Sequence, residues 1–257
     1  MGELLEFRDL AVRFAARDIT LRYRQTMLGV VWVFLQPLLA AGAFTVVFGR
    51  VARLSSGSGV PYLVFAYSGL LLWNAFSGTV TKATNSVVSN AGLVAKTFFP
   101  RILLPFSTLF GSLLDFAVAG VLLTGLMVRY EIAVGPRALL LPVWVLLSLS
   151  LALGTALATS SLAVAYRDVQ LVVPFCLQLL LFLSPVAYPL RAVPSDLRLA
   201  YSANPLSALL TGFRWSLLGQ APPDPLAVLY ATFVSITVLV SGFLIFQRWE
   251  RGFADVI

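Results

Sequence analysis

The sequence predicts an all-α integral membrane protein: six transmembrane helices, an amino-terminal amphipathic interfacial helix, and short re-entrant outer helices before the last span. Three observations predict it. The chain of 257 residues is 59% hydrophobic and only 11% charged, with a mean hydropathy of +0.91, whereas soluble domains are nearer a quarter charged. Long apolar runs recur, and the first of them, 28–48, holds no ionisable side chain. At ~1.5 Å per residue such a run covers the roughly 30 Å of a bilayer's hydrocarbon core. The breaks between runs are short and hold Arg, Gly, Ser or Pro.

Residues 1–27 read as a cytoplasmic segment, and 28–257 as a single six-helix transmembrane domain. On a helical wheel over 4–24, Phe7, Leu10, Ala11, Phe14 and Leu21 share one side, with Arg13 and Arg17 at its flank. That pattern describes a helix lying along the headgroups, although Asp18 interrupts its apolar side. The first span, 28–48, follows Arg13, Arg17, Arg22 and Arg24, and basic residues flanking a first span stay in the cytoplasm. Ser55-Ser-Gly-Ser-Gly59 makes a short external turn, and the second span covers 61–80. Residues 82–101, too polar to span, return to the cytoplasm as a short amphipathic helix suited to docking.

The third span is 102–128, with Asp115 inside it. After the external link 129–137, the fourth span covers 138–164. Its rows Ser150, Gly154, Ala158 and Ala152, Ala156, Ser160 let helix backbones approach closely in lipid. Residues 166–168 form the next cytoplasmic turn, and the fifth span is 169–188. Within 190–220 the apolar stretches are too short to cross, which indicates re-entrant or interfacial helices placed against protein or water at the outer side. The last span, 226–246, leaves both termini cytoplasmic. This topology puts eleven of the 18 Lys and Arg residues inside and seven outside, the expected direction of bias.

Composition also excludes functions. The net charge of +7 is spread between apolar runs, unlike the clustered basic face of a nucleic-acid binder, so no nucleic-acid partner is expected. Anionic lipids and an acidic cytoplasmic partner are the expected counter-charges. There is no histidine, which removes the commonest general base and metal ligand, and no metal site is expected. Cys176 is the sole cysteine, read as a small buried hydrophobe. No cleavable signal peptide is apparent. No Gly-x-x-x-x-Gly-Lys-Ser/Thr loop occurs and the cytoplasmic segments are short, so ATP hydrolysis would belong to another chain.

Several stretches together resemble a known family. They are Arg22-Tyr-Arg-Gln-Thr-Met-Leu-Gly29 with Trp32 and Gln36-Pro37, then Lys96-Thr-Phe-Phe-Pro-Arg101 and Tyr166-Arg-Asp168. Ser184-Pro185 with Tyr188-Pro189, Asn204-Pro205 with Phe213-Arg-Trp215, and the ending Phe253-Ala-Asp-Val-Ile257 complete the order. The chain resembles, along essentially its whole length, the membrane subunit of type-2 ABC exporters of the polysaccharide group (O-antigen and teichoic-acid export). The resemblance implies a homodimer in the bacterial plasma membrane above two cytoplasmic ABC ATPase subunits. Those subunits would bind ATP and Mg, leaving no cofactor in this chain. It implies a polyprenyl-diphosphate-linked glycan as cargo. Segments 82–101 and 166–168 would be the coupling elements, and 190–220 the outer helices.

Within that reading, Phe98, Phe99, Pro100, Arg101, Tyr166, Arg167 and Asp168 are the candidates for ATPase coupling, because aromatic and Arg side chains serve as anchors in a partner. The same residue types also mark headgroup boundaries. Asp115 would face the bundle, water or a partner, serving substrate passage, proton transfer or a structural hydrogen bond. Sugar C–H faces slide over aromatic rings, so Trp32, Phe34, Tyr62, Tyr67, Trp73, Phe76, Tyr188 and Trp215 are the candidates for the substrate path. Planar guanidinium groups pair phosphate oxygens, which nominates Arg22, Arg24 and Arg101 for the lipid diphosphate. The alternative cargo is a small hydrophobic drug or lipid. An intramembrane enzyme and a passive scaffold are the rival classes.

Overall fold

The computed structural model describes residues 31–57, 59–96, 99–250 and 252–253. The amphipathic helix expected over 4–24, with Arg22 and Arg24, lies outside the described residues, as does Phe98. Every regular element among the described residues is helical. They are α1 (Val31–Phe44), continued by a π-helical stretch (Thr45–Val51), α2 (Tyr62–Ser89), α3 (Ala91–Lys96) and α4 (Leu103–Arg129). After a 3₁₀ turn (Pro136–Leu140) come α5 (Leu141–Ala165), α6 (Val169–Phe182), α7 (Arg198–Ala203), α8 (Pro205–Leu218) and α9 (Pro225–Glu250). Five stretches are long and apolar enough to cross a bilayer, belonging to α1 with its π-helical extension, α2, α4, α5 and α9.

The bundle is built around α2. It is the least hydropathic of the long helices yet 78% of its most apolar stretch is buried, against 17% for α4 and for α9. The inversion has a physical cause. A helix wrapped by other helices can carry polar groups that protein satisfies, whereas a lipid-facing helix must present hydrocarbon to hydrocarbon. α4, α5, α1 and α8 pack around it, and α5 makes its most extensive pairing with α9. At that pairing a Cβ on Gly242 would overlap the backbone of Gly154, and one on Gly154 would overlap Val238 and Leu239. Close backbone approach needs such small residues. Ala152, Ala156 and Ser160 of the predicted rows are fully buried on the same helix.

Two expected boundaries and one expected burial change. The second span continues past 80 to Ser89 without a break, so its polar end does not stop the helix. Asn85 and Ser86 turn their side chains back onto the carbonyls of Thr81 and Ala83. The helix ends at Asn90, whose side chain donates to the carbonyl of Ser86. The fifth span stops at Phe182 rather than 188, because Pro185 lacks an N–H and disfavours helix at the residue before it. Its 14 residues rise only about 21 Å. Residues 183–189 form an irregular turn leading to the short outer elements. Finally, Cys176 is exposed on the outer side of α6, where only Val173 and Leu177 are buried. In lipid an apolar thiol gains little by facing inward, so the expectation of burial fails there.

α8 shows how local sequence sets its ends. The side chain of Asn204 accepts from the Leu206 N–H at 3.0 Å, Pro205 occupies the first turn, and Gly219 closes the helix at φ 66°. These are the residue types that favour a start and a stop. The helix lies against α9, α5 and α2. Gly212 faces the Trp144 ring, whose N–H donates to Ser216 Oγ at 2.8 Å.

Candidate substrate path and coupling surface

Asp115 is the thirteenth residue of α4, about 18 Å along the helix from its start, and a lone carboxylate at such depth is costly. It is met by Lys82 of α2, whose Nζ donates to Oδ2 at 2.8 Å. Lys82 was expected to open the cytoplasmic return. Instead it stays on the helix and pairs within the bundle, because α2 runs on past its apolar stretch beside α4. Both side chains keep about a quarter of their surface exposed, because they line a cavity of about 480 Å³.

The cavity lies between α1, α2 and α4. Trp32 and Gln36 of α1, Asn74 and Thr81 of α2, and Ser112 and Phe116 of α4 supply its polar and aromatic lining with the ion pair. The positions recur at helical spacing: 74, 78, 81 and 82 on α2, and 112, 115, 116 and 119 on α4. The hydroxyl of Ser112 is buried without a hydrogen-bond partner, a group ready for a ligand hydroxyl or water. Hydroxyl, amide and charged groups beside two aromatic rings suit a polar, hydroxylated molecule better than a purely apolar one.

Of the nine residues expected along the path, Trp32 and Asp115 line this cavity. Tyr67, Trp73 and Phe76 are buried in the main core. The Tyr67 hydroxyl donates to the carbonyl of Ala119 at 3.0 Å, and the Trp73 and Phe76 rings lie 5.7 Å apart. They are packing residues, as expected of aromatics on the one helix wrapped by the others. Tyr62 donates to the carbonyl of Ala187 at 2.5 Å, and the hydroxyls of Tyr188 and Tyr201 lie 2.6 Å apart. Both tyrosines therefore secure the turn after α6. Trp215 is half-buried beneath the Arg137 guanidinium, 5.4 Å from its ring. Phe34 is half-buried on α1 outside the cavity lining. Gln36, Asn74, Thr81, Lys82, Ser112 and Phe116 were not singled out for the path; the i, i+4, i+7, i+8 polar stripe on α2 is the signal that marks its share.

At the α3 end a second core joins Val87, Val94, Phe99, Leu157, Phe246 and Phe253. Phe99 is thus enclosed by this chain rather than offered to a partner. The Phe246 and Phe253 rings meet edge-on at 5.4 Å. The backbone N–H of Arg101 donates to Glu250 Oε1 at 2.6 Å, and its guanidinium to the Glu250 carbonyl. That bond ties the start of α4 to the end of α9, and it engages a group expected to receive a diphosphate. Pro100 lies between, half-buried. By contrast, Tyr166, Arg167 and Asp168 are all exposed in the turn between α5 and α6. The carbonyl of Asp168 accepts from Leu171 and Val172, so the turn is continuous with α6.

The sequence matches the family described as ABC-2 type transporter over residues 12–218. It is 29% identical over 257 residues to the O-antigen export system permease protein RfbA of Myxococcus xanthus, covering 99% of this chain and 98% of that protein. To an O-antigen export system permease protein RfbA of Klebsiella pneumoniae it is 26% identical over 255 residues, 97% of this chain and 95% of that protein. A second such permease from Klebsiella pneumoniae is 24% identical over the same shares.

Proposed function

The chain belongs to the ABC-2 type transporter family, and from that premise we propose that it is the transmembrane subunit of an ATP-driven polysaccharide exporter. Its cargo is a lipid-diphosphate-linked glycan, moved from the inner to the outer face of the bacterial plasma membrane. The observation that carries this reading is the charge-paired, hydroxyl- and amide-lined cavity between α1, α2 and α4, in a chain aligned end to end with O-antigen export permeases. A small hydrophobic drug or lipid would leave Gln36, Asn74, Thr81 and Ser112 desolvated without partners, which disfavours it.

Two copies of this chain sit above two ATPase subunits that bind ATP and Mg, and this chain performs no hydrolysis. The α3 end, with both termini, faces the cytoplasm, and the α8 end faces outward. The exposed turn Tyr166, Arg167, Asp168 presents side chains to the ATPase. α3, Phe99, Pro100 and Arg101 form a rigid base that transmits its movement into α4 and α9 through the Glu250 tie. Trp32, Gln36 and the Lys82–Asp115 pair line the route of the glycan, whose hydroxyls exchange hydrogen bonds with them. Arg22 and Arg24 remain the candidates for the diphosphate at the inner interface.

Reconstitution with its ATPase and a fluorescent lipid-linked glycan tests the reading. ATP-dependent transfer of the label to the outer leaflet is expected, with no turnover by this chain alone. ATPase stimulation by small hydrophobic compounds, without stimulation by glycan, would replace polysaccharide by the apolar cargo.

A further inference from the structure

A second cavity, of about 420 Å³, lies at the α8 end of the bundle and shares no lining residue with the charge-paired cavity. Arg191, Arg198 and Arg214 line it together with Ser202, Thr211 and Gln220, and among the described residues the lining contains no carboxylate. Arg214 forms its floor at 3% exposure, while Arg191, Arg198 and Ser202 are exposed at its mouth. A volume of this size suits a small-molecule site.

The three guanidinium groups are placed, not incidental. One terminal nitrogen of Arg214 donates to the carbonyl of Pro185 at 2.6 Å; the other donates to Phe65 at 3.2 Å and to Val186. Its Nε is buried without a partner. On α2 a Cβ at Gly69 would collide with that guanidinium. Gly57, at φ 94°, makes the same allowance for Arg191, whose guanidinium occupies the space a Cβ would fill. Arg191 keeps one long bond to the carbonyl of Ser55, and Arg198 one to Val193, both at 3.4 Å. Most donors of these two forks therefore remain available. None of the three pairs with a carboxylate among the described residues.

Three converging cations repel one another unless an anion joins them, and planar guanidinium forks match the oxygens of phosphate. We propose that this cavity is a phosphate-binding site, Arg191 and Arg198 gripping the phosphate oxygens above the fixed charge of Arg214. The phosphate is that of an anionic lipid headgroup or a free phosphate ion. The proposal concerns this chain alone and does not depend on the glycan cargo or on the ATPase.

The test uses the purified full chain in detergent. One arm adds phosphatidylglycerol, with phosphatidylcholine as the control, and reads retained lipid by native mass spectrometry. The other adds inorganic phosphate or diphosphate, with chloride at equal ionic strength as the control, and reads thermal unfolding. Selective retention of phosphatidylglycerol identifies a headgroup, and selective stabilisation by phosphate identifies the free ion; either supports the site. The Arg191→Gln/Arg198→Gln variant should bind at least tenfold more weakly, since a hydrogen bond to a charged group contributes about that factor. Should that double variant not fold, Arg198→Gln alone supplies the same comparison. Binding unchanged in the variant, or no preference over phosphatidylcholine and chloride in the wild type, overturns the proposal.

Discussion

Lys82 and Arg214 both project from helices packed among apolar neighbours, and each must replace the water it gives up. Lys82 does so with a carboxylate, Asp115 at 2.8 Å, inside a cavity that leaves both partners partly open. Arg214 has no carboxylate; it is 3% exposed, holds the carbonyls of Phe65, Pro185 and Val186, and lies 3.8 Å over the Phe65 ring. The first arrangement is adjustable, since a point charge on a flexible stem can exchange partners with a passing hydroxyl. The second is a rivet, since only a planar fork reaches several fixed carbonyls at once. It fastens the turn after α6 to α2 and α8. Tyr62 and Asn204 bond the same turn through the carbonyls of Ala187 and Leu183.

The largest effect should therefore come from breaking the rivet. Arg214→Leu leaves buried carbonyls without donors and should cost roughly 3 kcal/mol or more of stability, at about 1–3 kcal/mol per unsatisfied group, measured by thermal unfolding of the purified chain. Arg214→Lys should recover only a small part of that. Gly69→Ala drives a Cβ into the same guanidinium and the Val186 carbonyl, costing about 1–3 kcal/mol as overpacking does. Combined with Arg214→Leu it should add only what the clash with the Val186 carbonyl costs, because the guanidinium contact is already lost. Fully additive losses would show that Gly69 serves something other than room for Arg214.

Lys82→Leu should matter less to stability, about 1 kcal/mol, because the partly exposed Asp115 can recruit water in the cavity. It should nevertheless abolish glycan export in reconstituted vesicles. Lys82→Met with Asp115→Leu sharpens the contrast: removal of both charges should restore stability without restoring export. Export by that double variant would reduce the pair to a structural device. The smallest stability change belongs to Tyr166→Ala and Arg167→Ala, within about 0.5 kcal/mol as for exposed surface sites. In these variants ATP hydrolysis by the assembled complex should continue while glycan movement stops.

Legibility in the sequence follows the same divide. Asp115 could be recognised as needing a partner because no apolar span tolerates a lone carboxylate cheaply. Lys82 could not be recognised as that partner, 33 residues away, since only the α2–α4 packing brings the two together. Aromatic residues misled for a related reason: Tyr67, Trp73 and Phe76 occupy the interior of α2, and Phe99 the core at the α3 end. In an aqueous protein an apolar side chain announces burial. In lipid both surroundings are apolar, so Cys176 faces outward at no cost and residue type says little about direction. The exposed turn 166–168 was readable because its length alone leaves it nowhere to hide.

The sequence by itself determined that the chain is a bundle of membrane helices, roughly where each begins, and that Pro, Gly and Asn punctuate the outer segment near 190–220. Those features are local: a span must be apolar for its whole length, and a helix end must satisfy its own backbone groups. Tertiary structure alone decided that α2 is the centre, that Lys82 meets Asp115, and that Arg214 is held by carbonyls instead of an acid. Hydrogen bonds and charges compel polar groups to find partners, but which partner they find depends on which helices become neighbours.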